Sequence, residues 1–255
     1  MFDDWCDEVP APAGAHTLRI LTARPEDLAF GAAAVAAEIP GHYASEEHIA
    51  RVLERLGKPA AAALIREKLP TTKSIRSGDL GEILATEYIA EKTDYDAPIK
   101  RLRWKDHRNM ALRGDDVIGM RVDDNGALHF LKTEAKSRVN LPDDVLTEAR
   151  AALEKHQGLP SPHALEFISE RLFEQGNTEL ADAIDDALLK TGITPDKVCH
   201  LLFTFSGNDP TTRLQTALND YGGTIAQMGV GLRVATHANF VGDVYEKVIT
   251  DGDGD

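Results

Sequence analysis

Two carboxylates and a lysine are spaced for phosphodiester chemistry between Gly114 and Lys136. The run Gly114-Asp115-Asp116-Val117-Ile118-Gly119 opens one strand-like segment, Asp124-Asn125-Gly126 makes a turn, and Leu131-Lys132-Thr133-Glu134-Ala135-Lys136 closes the next. An antiparallel hairpin would bring the two far ends together. Glu134 and Lys136 then share a face, because strand side chains repeat every second residue. A pair of carboxylates can hold a divalent cation against a phosphate, and a nearby lysine can orient or help deprotonate the attacking water.

The turn decides whether the carboxylates meet. A two-residue Asn125-Gly126 turn pairs Asp124 with Ala127 and sends Asp116 and Glu134 to opposite faces. A three-residue Asp124-Asn125-Gly126 loop, with Gly126 left-handed, pairs Asp123 with Ala127 and sets Asp116 opposite Glu134. That register also matches Met120 with Phe130 and Val122 with Leu128, which is sound cross-strand packing. The alternative pairs Val122 with His129 and Ile118 with Thr133. Apolar matching therefore favours the three-residue loop, and Asp115, pointing to the other face, is the poorer ligand.

The elements needed to carry this hairpin can be read on either side of it. Residues 1–16 are acidic, then rich in Pro and Ala, and are expected to be loose. A strand over 17–22 is followed by helices over 26–37, 46–56 and 59–68, with Pro40-Gly41 expected to break the first. Ser77-Gly78-Asp79 is expected to cap a helix running to Lys92. Strands are expected near 99–104, 115–123 and 127–136, then helices over 142–156, 163–175 and 178–190. Val198 to Phe205 is strongly apolar and reads as a buried strand. A helix near 210–221, a strand near 231–236 and a helix near 239–249 follow, before an acidic end at 251–255 expected to be disordered. The order implies an α/β fold with a mixed sheet flanked by helices. Residues 1–74 form a mostly helical N-terminal region. Residues 75–255 form the domain bearing the hairpin, with a helical insertion at about 158–192.

The 255 residues are 42% apolar and 27% charged, an ordinary globular balance. Cys6 and Cys199 suggest neither a disulfide framework nor a zinc site. The acidic start lacks an apolar signal core and no segment is apolar for long enough to cross a bilayer, so a cytoplasmic protein is expected. The net charge of −14 argues against nucleic acid if taken whole. Its distribution argues otherwise. Lys100, Arg101, Arg103, Lys105, Arg108 and Arg113 face only Asp106 within residues 99–113, while eleven acids crowd residues 143–186. Phosphate contacts need local positive charge rather than a basic whole.

The order of elements and these motifs resemble the PD-(D/E)xK nuclease superfamily. Its core is a helix, a three-strand meander, a helix and a strand, so the resemblance implies a restriction-endonuclease-like fold. The chain further resembles the nuclease subunit of the Hachiman antiphage defence system. That resemblance rests on Gly78-Asp79-Leu80-Gly81-Glu82, on Arg103-Trp104-Lys105-Asp106-His107-Arg108-Asn109-Met110, on Gly114 to Gly119, on Glu134-Ala135-Lys136-Ser137, and on Cys199-His200-Leu201-Leu202-Phe203. It implies a Mg²⁺- or Mn²⁺-dependent deoxyribonuclease working with a helicase subunit. Asp116 and Glu134 would be direct metal ligands, and Lys136 would serve the attacking water. The Ala135 carbonyl would be a further ligand. Glu82 would add one through water or help to bind a second ion.

DNA contacts are expected from Arg101, Arg103, Lys105, Arg108 and Arg113, from Ser137 and Arg138 after the motif, and from Lys73 and Arg76 at the helix entry. Each assignment has a plainer rival. Glu134 and Lys136 can be read as a surface pair worth little energetically. Glu82 sits opposite the Leu80, Leu84 and Tyr88 stripe, where a solvated glutamate also sits. Trp104 reads better as a buried residue than a base-stacking one, and His200 as a core residue with a hydrogen-bond partner. The competing functions are a non-catalytic nucleic-acid-binding or assembly subunit and a stand-alone restriction or repair nuclease.

Overall fold

A strand covered on both faces belongs in the middle of a sheet, and the apolar run from Val198 takes that place. The computed structural model describes residues 1–253. Its strands are β1 (Cys6–Pro10), β2 (Thr17–Ala23), β3 (Val117–Val122), β4 (Leu128–Arg138), β5 (Val198–Ser206) and β6 (Ala226–Arg233), in the order β1-β2-β6-β5-β4-β3. The inner pairs β2–β6, β6–β5 and β5–β4 are parallel, and the two outer pairs are antiparallel. The helices are α1 (Leu28–Tyr43), α2 (Glu46–Leu56), α3 (Lys58–Lys68), α4 (Lys73–Lys92), α5 (Asp143–Leu153), α6 (Pro162–Glu174), α7 (Thr178–Asp186), α8 (Thr211–Asn219) and α9 (His237–Asp253).

One face of the sheet packs against α1, α4 and α9. Its core joins Leu80, Ile83 and Leu84 of α4 to Leu131, Leu201 and Phe203 of the sheet and to Phe240 and Tyr245 of α9. The approach of α4 to β4 is close: a Cβ at Gly81 would lie 3.1 Å from the Ser137 Cβ, so glycine is what fits there. The other face holds two separate clusters. One joins Ile118, Met120 and Phe130 to α6 and α7, and one joins Leu18, Ile20 and Leu202 to α5 and α8.

Several expectations are corrected. Residues 1–16 are not loose: Phe2 and Trp5 are fully buried, Trp5 stacks on Phe240, and Cys6 to Pro10 pair with β2. Pro40 does not end its helix. Ile39, His42 and Tyr43 are all buried, and that packing carries α1 through the proline to Tyr43. The helix expected from Ser77 begins at Lys73, so Ser77 and Asp79 lie inside it. The strand expected near 99–104 is a 3-10 helix, Arg101–Trp104, and only a single bridge, Asp96 to Met120, adds to the outer edge of β3. Arg101 explains this locally, since its guanidinium donates to the carbonyls of Asp116 and Arg113 at 2.9 and 2.8 Å. The last strand covers Ala226–Arg233 instead of 231–236, with Gly229 and Gly231 both paired on two sides by β2 and β5. Asp251 to Asp253 continue α9, and the remainder of the acidic end lies outside the described residues. Among the described residues no helix is long and apolar enough to cross a membrane.

Candidate active site

The hairpin adopts the three-residue register. Val122 pairs with Leu128, Met120 with Phe130 and Val117 with Thr133. The Asp123 amide donates to the Ala127 carbonyl at 2.9 Å and the Gly126 amide returns to Asp123 at 2.8 Å, with Gly126 at φ +79°. Asp123 also ties the loop through its side chain, which accepts from the Asn125 and Ala127 amides. Continued one step past the ladder, this register sets Asp116 against Glu134.

Asp116 leaves the ladder at that point and uses its carboxylate on the partner strand. Its Oδ2 accepts the Ala135 amide at 2.9 Å. Extended backbone presents a residue's N–H and C=O toward the same neighbouring strand, so the Ala135 carbonyl faces the Asp116 side as well. Lys136 Nζ donates to Glu134 Oε1 at 2.6 Å, in a pair whose side chains are 19% and 10% exposed. This is far from the exposed pair that the plainer reading allowed.

The electrostatics of these acids are unusual. Burial, and then repulsion from Asp116, pushes the Glu134 carboxyl up to about 7, against the pull of Lys136. Burial also raises Asp116, with the Ala135 amide, Lys136 and Arg101 holding it back. Glu82 is raised well above the ordinary carboxylate range by burial and then by Asp116, while Arg101 and Lys105 act against the rise. Glu82 and Asp116 line one narrow cleft with Arg101, Thr86 and His42. The Glu82 side of α4 thus faces the hairpin, with Glu82 itself half-buried. Three carboxylates, each raised chiefly by burial, form a partly desolvated acidic patch beside Lys136 and Arg101. Among the described residues, no three His, Cys, Asp or Glu side chains converge tightly enough to form a metal-holding group. The direct donors on offer are Asp116, Glu134 and the Ala135 carbonyl. Magnesium is bound through few carboxylates and retained waters, and this set fits that habit.

The basic residues named from sequence have diverse surroundings. Lys73, Arg113 and Arg138 are exposed, and Arg138 donates to the Ser137 carbonyl at 2.8 Å. Arg76 donates to the Pro70 carbonyl and lies over the Tyr245 ring, 5.1 Å from its centroid. Arg103 donates to the Gly41 carbonyl, and Arg108 reaches the carbonyls of Arg66 and Glu67. Lys105 is buried against Asp79, with contacts of 2.7 and 2.8 Å. Ser137 is buried, hydrogen-bonded to Ser77 and to His237. Trp104 packs edge-on against Phe167, and His200 bonds the Gly158 carbonyl inside the core.

Two arrangements were missed by sequence reasoning. Lys132 is 1% exposed, and its ammonium donates to the carbonyls of Leu153, Lys155 and Leu159, each at 2.9 Å, with Asp115 at 3.5 Å. Asp115 in turn accepts the Ser161 amide at 2.8 Å. The signal was available: Lys132 alternates onto the face that buries Phe130. Asp79 is the second. It is 3% exposed, and it accepts from Tyr43 as well as Lys105. Its position one turn before Glu82 places that pair beside the acidic cleft.

With this geometry in hand, comparison with known proteins is decisive at the level of family. The HamA family profile matches residues 1–248. The chain belongs to the HamA family. A relative, the Hachiman protein HamA of Bacillus cereus, is 31% identical over 121 residues, which make up 48% of this chain and 42% of that protein. The chain thus aligns with less than half the length of that HamA relative.

Proposed function

We propose that this HamA-family chain is a metal-dependent nuclease that hydrolyses DNA phosphodiester bonds. In this reading it is the effector of a Hachiman antiphage defence system, of PD-(D/E)xK type and under the control of a helicase partner. One observation carries the chemistry: the Asp116 carboxylate accepts the Ala135 amide at 2.9 Å, and Lys136 lies on the adjacent Glu134 at 2.6 Å. Asp116, Glu134 and the Ala135 carbonyl would hold Mg²⁺ or Mn²⁺. Such an ion supplies charge neutralisation at phosphate oxygens and a more acidic water. Its charge would also offset the burial that now raises Glu134 and Asp116, and the Asp116 repulsion felt by Glu134. Lys136 then shares its ammonium between Glu134 and the attacking water, orienting that water toward phosphorus. Glu82 acts from the far side of Asp116, through water. The Ala135 amide fixes the Asp116 carboxylate so that its second oxygen stays available.

A second reading, a non-catalytic assembly subunit, is favoured by the absence of a three-ligand cluster among the described residues. One experiment separates the two. Purified protein is incubated with plasmid DNA and Mg²⁺, alongside Asp116→Asn, Glu134→Gln and Lys136→Met. The nuclease reading expects degradation by the wild type that EDTA stops and each substitution lowers by about 10²-fold or more. Degradation that persists in all three variants would sink it.

A further inference from the structure

Beyond the end of α3, the segment following the Arg101–Trp104 helix lines an open pocket of about 360 Å³. Its wall carries Lys68, Arg103, Lys105, His107 and Arg108, together with Tyr43, Glu67 and Asp106. The positive charge there is only partly answered. Lys105 is spent on Asp79. Arg108 meets the Glu67 carboxylate at 3.6 Å, but that side chain is 80% exposed, so the pair is well screened. Among the described residues no carboxylate lies within ion-pair distance of Arg103. Its Nε is used on the Gly41 carbonyl, which leaves the two terminal nitrogens as a fork for a bidentate oxyanion. Burial pushes the Arg103 guanidinium down, with Glu47 and Glu46 acting against the fall from beyond ion-pair distance. His107 Nδ1 accepts the Asn109 amide at 3.2 Å, so the ring proton sits on Nε2 as a further donor.

We propose that this cavity is a phosphate pocket, gripping one backbone phosphate of the nucleic-acid strand beside the Asp116–Glu134 site. Two connections tie it to that site. Lys105 and Asp79 link the pocket to α4 one turn before Glu82, and Arg101, two residues before Arg103, donates to the Asp116 carbonyl. The strand's identity rests on the nuclease reading, whereas the pocket's affinity for phosphate does not. The proposed ligand is an internal phosphodiester, and the two 5′ ends of the probe below separate it from a terminal phosphate.

The test is fluorescence anisotropy on the full chain in EDTA, where no cleavage occurs. The probe is a labelled single-stranded oligonucleotide ending in a 5′ hydroxyl or a 5′ phosphate, with inorganic phosphate as competitor. Arg103→Gln and Lys68→Gln are each expected to weaken binding about tenfold and to lower the salt slope by about one, equally for both ends. Arg103→Lys keeps the charge without the fork and should fall between. Lys68 is half-exposed at a helix end, so its variant tests the pocket even where Arg103→Gln disturbs folding, which circular dichroism reports. Unchanged affinity and slope in the Lys68 variant and a folded Arg103 variant would overturn the proposal. A wild type that binds neither oligonucleotide nor phosphate, or a clear preference for the 5′ phosphate, would do the same. Lost binding in the pocket variants beside a wild type that never cleaves would keep the pocket and remove the nuclease reading. Full cleavage with unchanged binding would do the reverse.

Discussion

Lys132 and Lys136 stand on one face of β4, and each lies near an aspartate from the start of β3, yet their charges are put to different uses. Lys132 is sealed from solvent and saturated by three carbonyls and Asp115. It locks the chain after α5 and the start of α6 onto the sheet. Lys136 has one short contact, to Glu134, and stays partly open. The acids differ in the same way. Asp115 has a lysine and a backbone amide facing it, whereas Asp116 and Glu134 sit against each other and are pushed toward protonation. Burial with full hydrogen bonding builds structure. Burial with a charge left unanswered builds a site that a cation would complete.

The comparison is broken most forcefully at Lys132. Lys132→Met should cost about 3–5 kcal/mol, because Asp115 and three carbonyls lose a buried partner. Thermal or urea unfolding measures this, and a loss below about 1 kcal/mol would show that the cluster is not structural. Lys136→Met should instead change stability by about 1 kcal/mol or less while cleavage falls by about 10²-fold or more.

A smaller effect sharpens the contrast through pH. The Glu134 carboxyl is raised to about 7 from an ordinary value of 4.5, so the folded state holds a proton that the unfolded chain has released. Its contribution is fully present below about 4.5 and is lost as pH rises through about 7. Glu134→Gln should therefore gain roughly 1–3 kcal/mol over the wild type at pH 8 and little at pH 4. Urea melts at the two pH values decide this. The smallest change is expected at Arg138, whose exposed side chain donates to the carbonyl of its neighbour Ser137. Arg138→Ala should leave stability within about 0.5 kcal/mol and lower the salt dependence of DNA binding by about one counterion.

What could be read from sequence follows the same division. The hairpin register was legible because turn chemistry and apolar matching are local: Asp124-Asn125-Gly126 and the Met120–Phe130 pair are enough. The buried core strand was legible from its strongly apolar run. The N-terminal strand was not, because Cys6 to Pro10 gains its place from β2 and from the burial of Phe2 and Trp5, which no local pattern states. The 3-10 helix at Arg101–Trp104 was hidden for a related reason, since its basic residues reach carbonyls distant in sequence. At the site, Asp116, Glu134 and Lys136 were visible as a motif. The burial of Glu82 beside Asp116 was not, because helical periodicity only says which side of α4 it occupies. Lys105 was expected to contact DNA and Lys132 carried no expectation, and both are buried against acids.

The central claim is that Asp116 and Glu134 form an acidic pair completed by a divalent ion. Calorimetric titration of Mn²⁺ into the wild type, Asp116→Asn and Glu134→Gln near pH 6 tests it without relying on cleavage. The account predicts binding by the wild type with release of protons, since Glu134 must ionise to coordinate, and affinity at least about tenfold weaker in both variants. A wild type that takes up no ion, or variants that bind it equally well, would contradict it.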